Sequence, residues 1–117
     1  NRYYNGLKPL SENGAFSLPF IPSYATNNAH MFYITTKTSE DRTNLIAFLK
    51  NNGVHAVFHY LSLHKSQFAE NHHMGGMNLP MSDFYTEHLL RLPIFYSLMD
   101  DDVDIVIDLI KKFYESK

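Results

Sequence analysis

The stretch His59-Tyr60-Leu61-Ser62-Leu63-His64-Lys65 gathers two imidazoles, a phenol, a hydroxyl and an ammonium within seven residues. Imidazole and phenol groups beside an ammonium suit the hydroxyl or phosphate groups of a polar ligand. Metal chemistry fits less well. His55 and His59 share one face of a strand, but imidazoles four residues apart lie ~13 Å apart at about 3.3 Å per residue. No His-Glu-x-x-His pattern supplies a helical alternative, and His72-His73 fall in a polar stretch that suits solvent. Nucleophilic chemistry is also poorly framed. Ser62 lacks a Gly-x-Ser-x-Gly elbow, and nothing around Lys65 signals the desolvated pocket that a Schiff-base lysine needs. Gly75-Gly76 neither follows a strand nor opens a helix, so it is a weak phosphate loop. Two readings stay open: a hydrogen-bonding loop for a polar ligand, or a strand end that His59 and Tyr60 merely finish.

The elements that must position this loop are written in the surrounding pattern. Val54 to Tyr60 is predicted to be a strand that feeds it. Upstream, Ala29 to Thr36 is rich in aromatic and β-branched residues, which predicts a central strand covered on at least one face. Between the two, Thr38-Ser39-Glu40-Asp41 offers an N-cap and first-turn acids, Leu45, Ile46, Phe48 and Leu49 form a buried stripe, and Asn51-Asn52-Gly53 ends the helix. Downstream, residues 66–82 carry no sustained period and are expected to form a long loop. Ser82-Asp83 is expected to cap a helix through Leu90, and Leu92-Pro93-Ile94-Phe95 to form a short edge strand. Asp100-Asp101-Asp102 precedes Val103, Val106, Ile107, Ile110 and Phe113 at helical spacing, and a solvated helix start accounts for the acids without a metal.

The chain opens on Asn1-Arg2-Tyr3-Tyr4, with Tyr3, Tyr4, Leu7 and Leu10 near helical spacing until Pro9 and Gly14 end the helix. It reads as a helix already under way, which a fragment and a processed N-terminus explain equally. A connector over Ser11 to Asn28 follows, punctuated by Pro19 and Pro22. The order therefore predicts an α+β fold with a small, largely antiparallel sheet and helices packed on one face.

With 117 residues, 44% hydrophobic, the chain holds one compact domain. A net charge of −2 gives no footprint for nucleic acid or an anionic membrane. No apolar run approaches the ~20 residues that span a bilayer. The absence of cysteine excludes disulfides and thiolate metal sites and fits the cytoplasm.

Three segments carry a resemblance: Asn28-Ala29-His30-Met31-Phe32-Tyr33, Ala56-Val57-Phe58-His59-Tyr60-Leu61-Ser62-Leu63-His64, and Leu90-Arg91-Leu92-Pro93-Ile94-Phe95-Tyr96. In order and spacing they resemble the C-terminal part of the DegT/StrS nucleotide-sugar aminotransferases, over nearly the whole chain. The resemblance implies a pyridoxal-phosphate enzyme of the aspartate aminotransferase fold, in which residues 1–117 are the small C-terminal domain and residues 1–14 end a helix from the large domain. It implies transfer of an amino group from glutamate to a 4-keto-6-deoxy sugar on a nucleotide, in surface-polysaccharide or related sugar biosynthesis, by a homodimer. The family's His-Tyr-x-Pro-Leu-His stretch maps onto His59, Tyr60 and His64 as substrate-binding residues, with Lys65 assisting. Arg91 falls to structure. Ser62 stands where the family has proline, so a less rigid loop is expected. The Schiff-base lysine and phosphate cup belong to the large domain, so no catalytic residue, no cofactor and no metal is expected on this chain, and alone it should not transaminate. The competing expectation is a stand-alone, non-catalytic α+β ligand-binding or interaction module.

Overall fold

The computed structural model describes residues 1–116. Its four strands form one fully antiparallel sheet, in the spatial order β1-β2-β4-β3. These are β1 (Phe16–Ser17), β2 (Phe32–Thr36), β3 (Val57–Phe58) and β4 (Leu89–Leu92). Five α-helices accompany them: α1 (Arg2–Glu12), α2 (Ser39–Asn51), α3 (Gln67–Asn71), α4 (Pro80–His88) and α5 (Asp100–Glu115). The architecture is the small antiparallel α+β fold that the sequence predicts. Among the described residues no helix is long and apolar enough to cross a membrane.

The core forms where period-2 and period-3.6 stripes meet. Ile34 pairs with Leu90 and Phe32 with Leu92 across the sheet centre. Tyr3 and Leu7 of α1, Leu45 and Leu49 of α2, and Val103, Val106, Ile107, Ile110 and Phe113 of α5 pack on that side. The α2 cap is as expected: Thr38 Oγ1 accepts from the Asp41 N–H at 3.0 Å. Just past its C-terminus Gly53 takes φ +79°, which glycine adopts without steric cost.

Four local expectations are corrected. Pro9 does not end α1, which runs on to Glu12. An interior proline costs about 3 kcal/mol, but Leu7 and Leu10 on either side of it belong to the packed core. Arg2 adds a two-point clasp: its Nη2 reaches Asp104 at 2.6 Å and its Nη1 reaches Asp100 at 2.9 Å. The acidic start of α5 thus anchors α1 as well as facing the helix dipole. Second, the strand over Val54 to Tyr60 shrinks to two ladder residues, Val57 and Phe58.

Third, residues 66–82 are not one long loop. Ser66 Oγ accepts from Ala69 N–H at 3.2 Å and caps α3, and α4 begins at Pro80 with Leu79 as its N-cap. Proline suits a first helical turn because the N–H it lacks would be unpaired there. Fourth, the strand near Pro93 comes earlier and is central. Leu89–Leu92 pairs with β2 on one side and β3 on the other, and Pro93 falls just past its end. A proline cannot donate to a ladder, so the paired segment stops before it.

Candidate functional site

Beyond β3 the chain leaves the sheet at His59 and turns back through a short 3-10 segment, Leu63–Lys65. Its return is fixed by Lys65 N–H donating to Ser62 O at 3.1 Å and Ser66 N–H to Leu63 O at 3.0 Å. The turn and α3 form one wall of an open groove of about 650 Å³, and α4 forms the other. His59, Tyr60 and His64 all line this groove, among Phe68, Met77 and Tyr85. Lys65 does not line it. Its ammonium turns to Asp83 Oδ2 at 2.8 Å.

The polar groups of the groove differ sharply in their pairing. The His64 side chain is 4% exposed, and its Nε2 lies 3.3 Å from Asp83 Oδ1. That distance is an ion-pair contact, but the direction is wrong for a hydrogen bond, and neither His64 nitrogen meets a hydrogen-bonding partner among the described residues. His59 Nδ1 is buried in the same condition, with its ring against Tyr60 at 4.6 Å between centroids. Buried polar atoms are otherwise nearly always hydrogen-bonded, so imidazole nitrogens without such a bond set these two residues apart from the rest of the groove lining.

Asp83, Ser82 and Thr86 join this site although the sequence marks Ser82-Asp83 only as a helix cap and gives Thr86 no role. Asp83 Oδ1 accepts from Ser62 Oγ at 2.8 Å, and Ser62 Oγ also meets Thr86 Oγ1 at 2.9 Å and Ser82 Oγ at 3.3 Å. The signal is three polar residues at i, i+1 and i+4 on a short helix; the expected Ser82-Asp83 cap hides it, whereas both residues lie inside α4, which Leu79 caps. The Asp83 carboxyl is held below its ordinary 3.8, first by the hydrogen bond from Lys65, then by Ser62 and by the nearby charges of Lys65 and His64. A carboxyl lowered in the fold stabilises it fully above the unfolded value and loses that contribution as pH falls through the lowered one. Protection factors of the Lys65 and Ser66 amides are therefore expected to be flat from neutrality to about pH 4 and to drop below it, as hydrogen exchange would record.

The serine in place of the family's proline does not free the turn. Ser62 holds φ −61°, within proline's own range. Its N–H donates no hydrogen bond among the described residues, and its hydroxyl is tied to α4. Ser62→Pro is expected to keep the amide protection of Lys65 and Ser66 within about two-fold, because ring constraint replaces the lost hydrogen bonds. Ser62→Ala, which loses the hydroxyl and gains no ring, is expected to lower it.

The other candidates separate from this site. His55 and Arg91 line a second groove, about 640 Å³, near Phe95 and α5. Arg91 stands in a cross-strand row with Tyr33 and Val57, on the sheet face opposite Ile34 and Leu90. His72 packs at a tilt against Phe68, 4.3 Å between centroids, and Gly75 lies against the carbonyl of His64. No group of three or more metal-ligating side chains is assembled among the described residues.

The fold is that of a part of known aminotransferases. It superposes with a TM-score of 0.82 on the aminotransferase TlmJ from Streptoalloteichus hindustanus, at 24% identity, covering 98% of this chain and 30% of that one. It superposes equally well, TM-score 0.82 at 21% identity, on a Streptococcus pneumoniae protein assigned as a sugar aminotransferase, in its PLP form. That match covers 98% of this chain and 29% of the other.

The chain belongs to the DegT/DnrJ/EryC1/StrS aminotransferase family, whose model matches residues 1–111. A relative from Geobacillus stearothermophilus, a pleiotropic regulatory protein, is 30% identical over 107 residues, which are 90% of this chain. The chain spans 28% of that relative's length.

Proposed function

We propose that this chain is the small domain of a pyridoxal-phosphate-dependent nucleotide-sugar aminotransferase, and that its 59–64 wall receives the nucleotide sugar. Family membership supports the reaction class, and the likeness to a sugar aminotransferase in PLP form supports the substrate class and cofactor. Within that class, the three sequence segments that carry the resemblance favour a dTDP-4-amino-4,6-dideoxygalactose transaminase. It would move an amino group from glutamate to a 4-keto-6-deoxy sugar.

Pyridoxal phosphate, when bound, supplies the electron sink that amino-group transfer requires. The described residues do not fit its attachment. Lys65 is paired with Asp83 and 59% exposed, and Lys8 and Lys111 are open to solvent beside Glu12 and Asp108. Lys37, Lys50 and Lys112 are exposed as well. A Schiff-base lysine works from a desolvated site, so the cofactor is assigned to the remainder of the protein and no step on it to these residues.

What this domain does is bind and orient. The single observation that carries the reading is the buried His64, whose ring belongs to the lining of an apolar groove beside His59 and Tyr60 and whose nitrogens make no hydrogen bond. Its imidazole can donate from one nitrogen and accept at the other, as a sugar hydroxyl or a phosphate oxygen requires. Leu63, Phe68 and Met77 add apolar lining beside it. Lys65, drawn off by Asp83, is left to the rim. The test is a two-step absorbance experiment on the whole enzyme loaded with pyridoxal phosphate. Glutamate should bleach the cofactor band, and a nucleotide-linked 4-keto sugar should restore it where the free sugar does not. Failure of every nucleotide-linked keto sugar to restore it would sink the reading.

A further inference from the structure

Three side chains of the Ser62 to Lys65 turn converge on one carboxylate. Asp83 Oδ1 takes the Ser62 hydroxyl at 2.8 Å and faces His64 Nε2 at 3.3 Å, while Oδ2 takes Lys65 Nζ at 2.8 Å. The helix that carries this carboxylate buries none of its own side chains fully. Packing therefore does little to place α4, and polar ties do the rest. Arg42 Nη1 donates to Thr86 O at 2.8 Å from α2, and His88 Nδ1 meets Thr36 O at 2.9 Å from β2. Thr36 Oγ1 donates back to His88 O at 3.1 Å.

We propose that Asp83 is a positioning residue of the substrate wall: it locks Ser62, His64 and Lys65 into one register and keeps the lysine out of the groove. The inference rests on the reading of His59, Tyr60 and His64 as that wall. Charge bookkeeping supports it. Freed from Asp83, the flexible Lys65 stem could swing over the groove, and its ammonium would compete with His64 for a phosphate or hydroxyl oxygen. Held by Asp83, it leaves His64 as the buried polar group there. The two oxygens split the work: one fixes the backbone turn through Ser62, the other holds the ammonium aside.

Asp83→Asn separates these roles, because the amide oxygen still accepts from Ser62 while the charge that holds Lys65 is gone. In the whole enzyme, KM for the nucleotide sugar should rise about two- to five-fold with kcat unchanged, the range set by a partly exposed ion pair that holds the lysine aside. Lys65→Met in the Asp83→Asn background should recover most of that loss, a rescue that general loosening of the fold would not give. Hydrogen exchange at the Lys65 and Ser66 amides should quicken several-fold in Asp83→Ala and less in Asp83→Asn. Should Asp83→Ala fail to fold, Ser62→Ala gives the same exchange readout. Unchanged exchange and unchanged KM overturn the inference. Quickened exchange with unchanged KM upholds the lock and overturns the wall as the sugar-nucleotide site.

Discussion

Replacing His64 by alanine in the intact enzyme is expected to raise KM for the nucleotide sugar about ten-fold or more, with the glutamate half-reaction held within about two-fold. The magnitude follows from burial. A polar group left unpaired in the protein interior costs about 1–3 kcal/mol, and neither His64 nitrogen makes a hydrogen bond in a side chain only 4% exposed, Nε2 having only the 3.3 Å contact with Asp83. A ligand oxygen that pairs with one of them recovers part of that cost on binding, and the recovery appears as affinity. Truncation to alanine removes the partner. His64→Gln, which keeps a donor and an acceptor on a flexible stem, should fall between the two. The readout is the dependence of cofactor-band recovery on nucleotide-sugar concentration. Equal dependence in wild type and His64→Ala would remove His64 from the site.

The second large effect is on stability. Leu90→Ala is expected to cost about 2–5 kcal/mol, against a total of roughly 5–15 kcal/mol for a domain of ordinary stability. Leu90 has no exposed surface and sits in the central strand, opposite Ile34 on one side and Phe58 on the other. Strands on both flanks resist collapse into the space that the lost methyl groups leave, so the cavity term adds to the transfer term. The same strand leads out of α4, whose Asp83 holds the wall, so the loss should reach the site too. Urea denaturation followed by circular dichroism measures it, and a midpoint unchanged within error would contradict the core as described.

How far these features were legible in the sequence depended on whether local signals decided them. The Thr38 cap, the α5 stripe and the β2 run are local, and the structure carries the first two at the expected places and the third from Phe32 instead of Ala29. Leu89-Leu90-Arg91-Leu92 is apolar enough for a helix end or a strand. What settles it is pairing with β2 and β3, segments distant in the chain, and no local pattern reports that. Likewise α3 has no apolar period to announce it; a serine cap and the contact of Phe68 with His72 support its single turn. The site followed the same division. His59, Tyr60 and His64 were visible because their types and spacing are unusual, and the structure sets all three on one groove. Lys65 looked like their companion only because it is adjacent in sequence. Asp83, which takes it away, is eighteen residues further on (83 minus 65) and enters through the tertiary approach of α4.

Hydrogen exchange of the intact protein, with and without a saturating dTDP-linked 4-keto sugar, tests the central claim most directly. The wall reading predicts that peptides covering residues 59–66 slow about ten-fold or more on binding, while those of the α5 core are unmoved. Binding that slows exchange elsewhere and leaves residues 59–66 unchanged would contradict it.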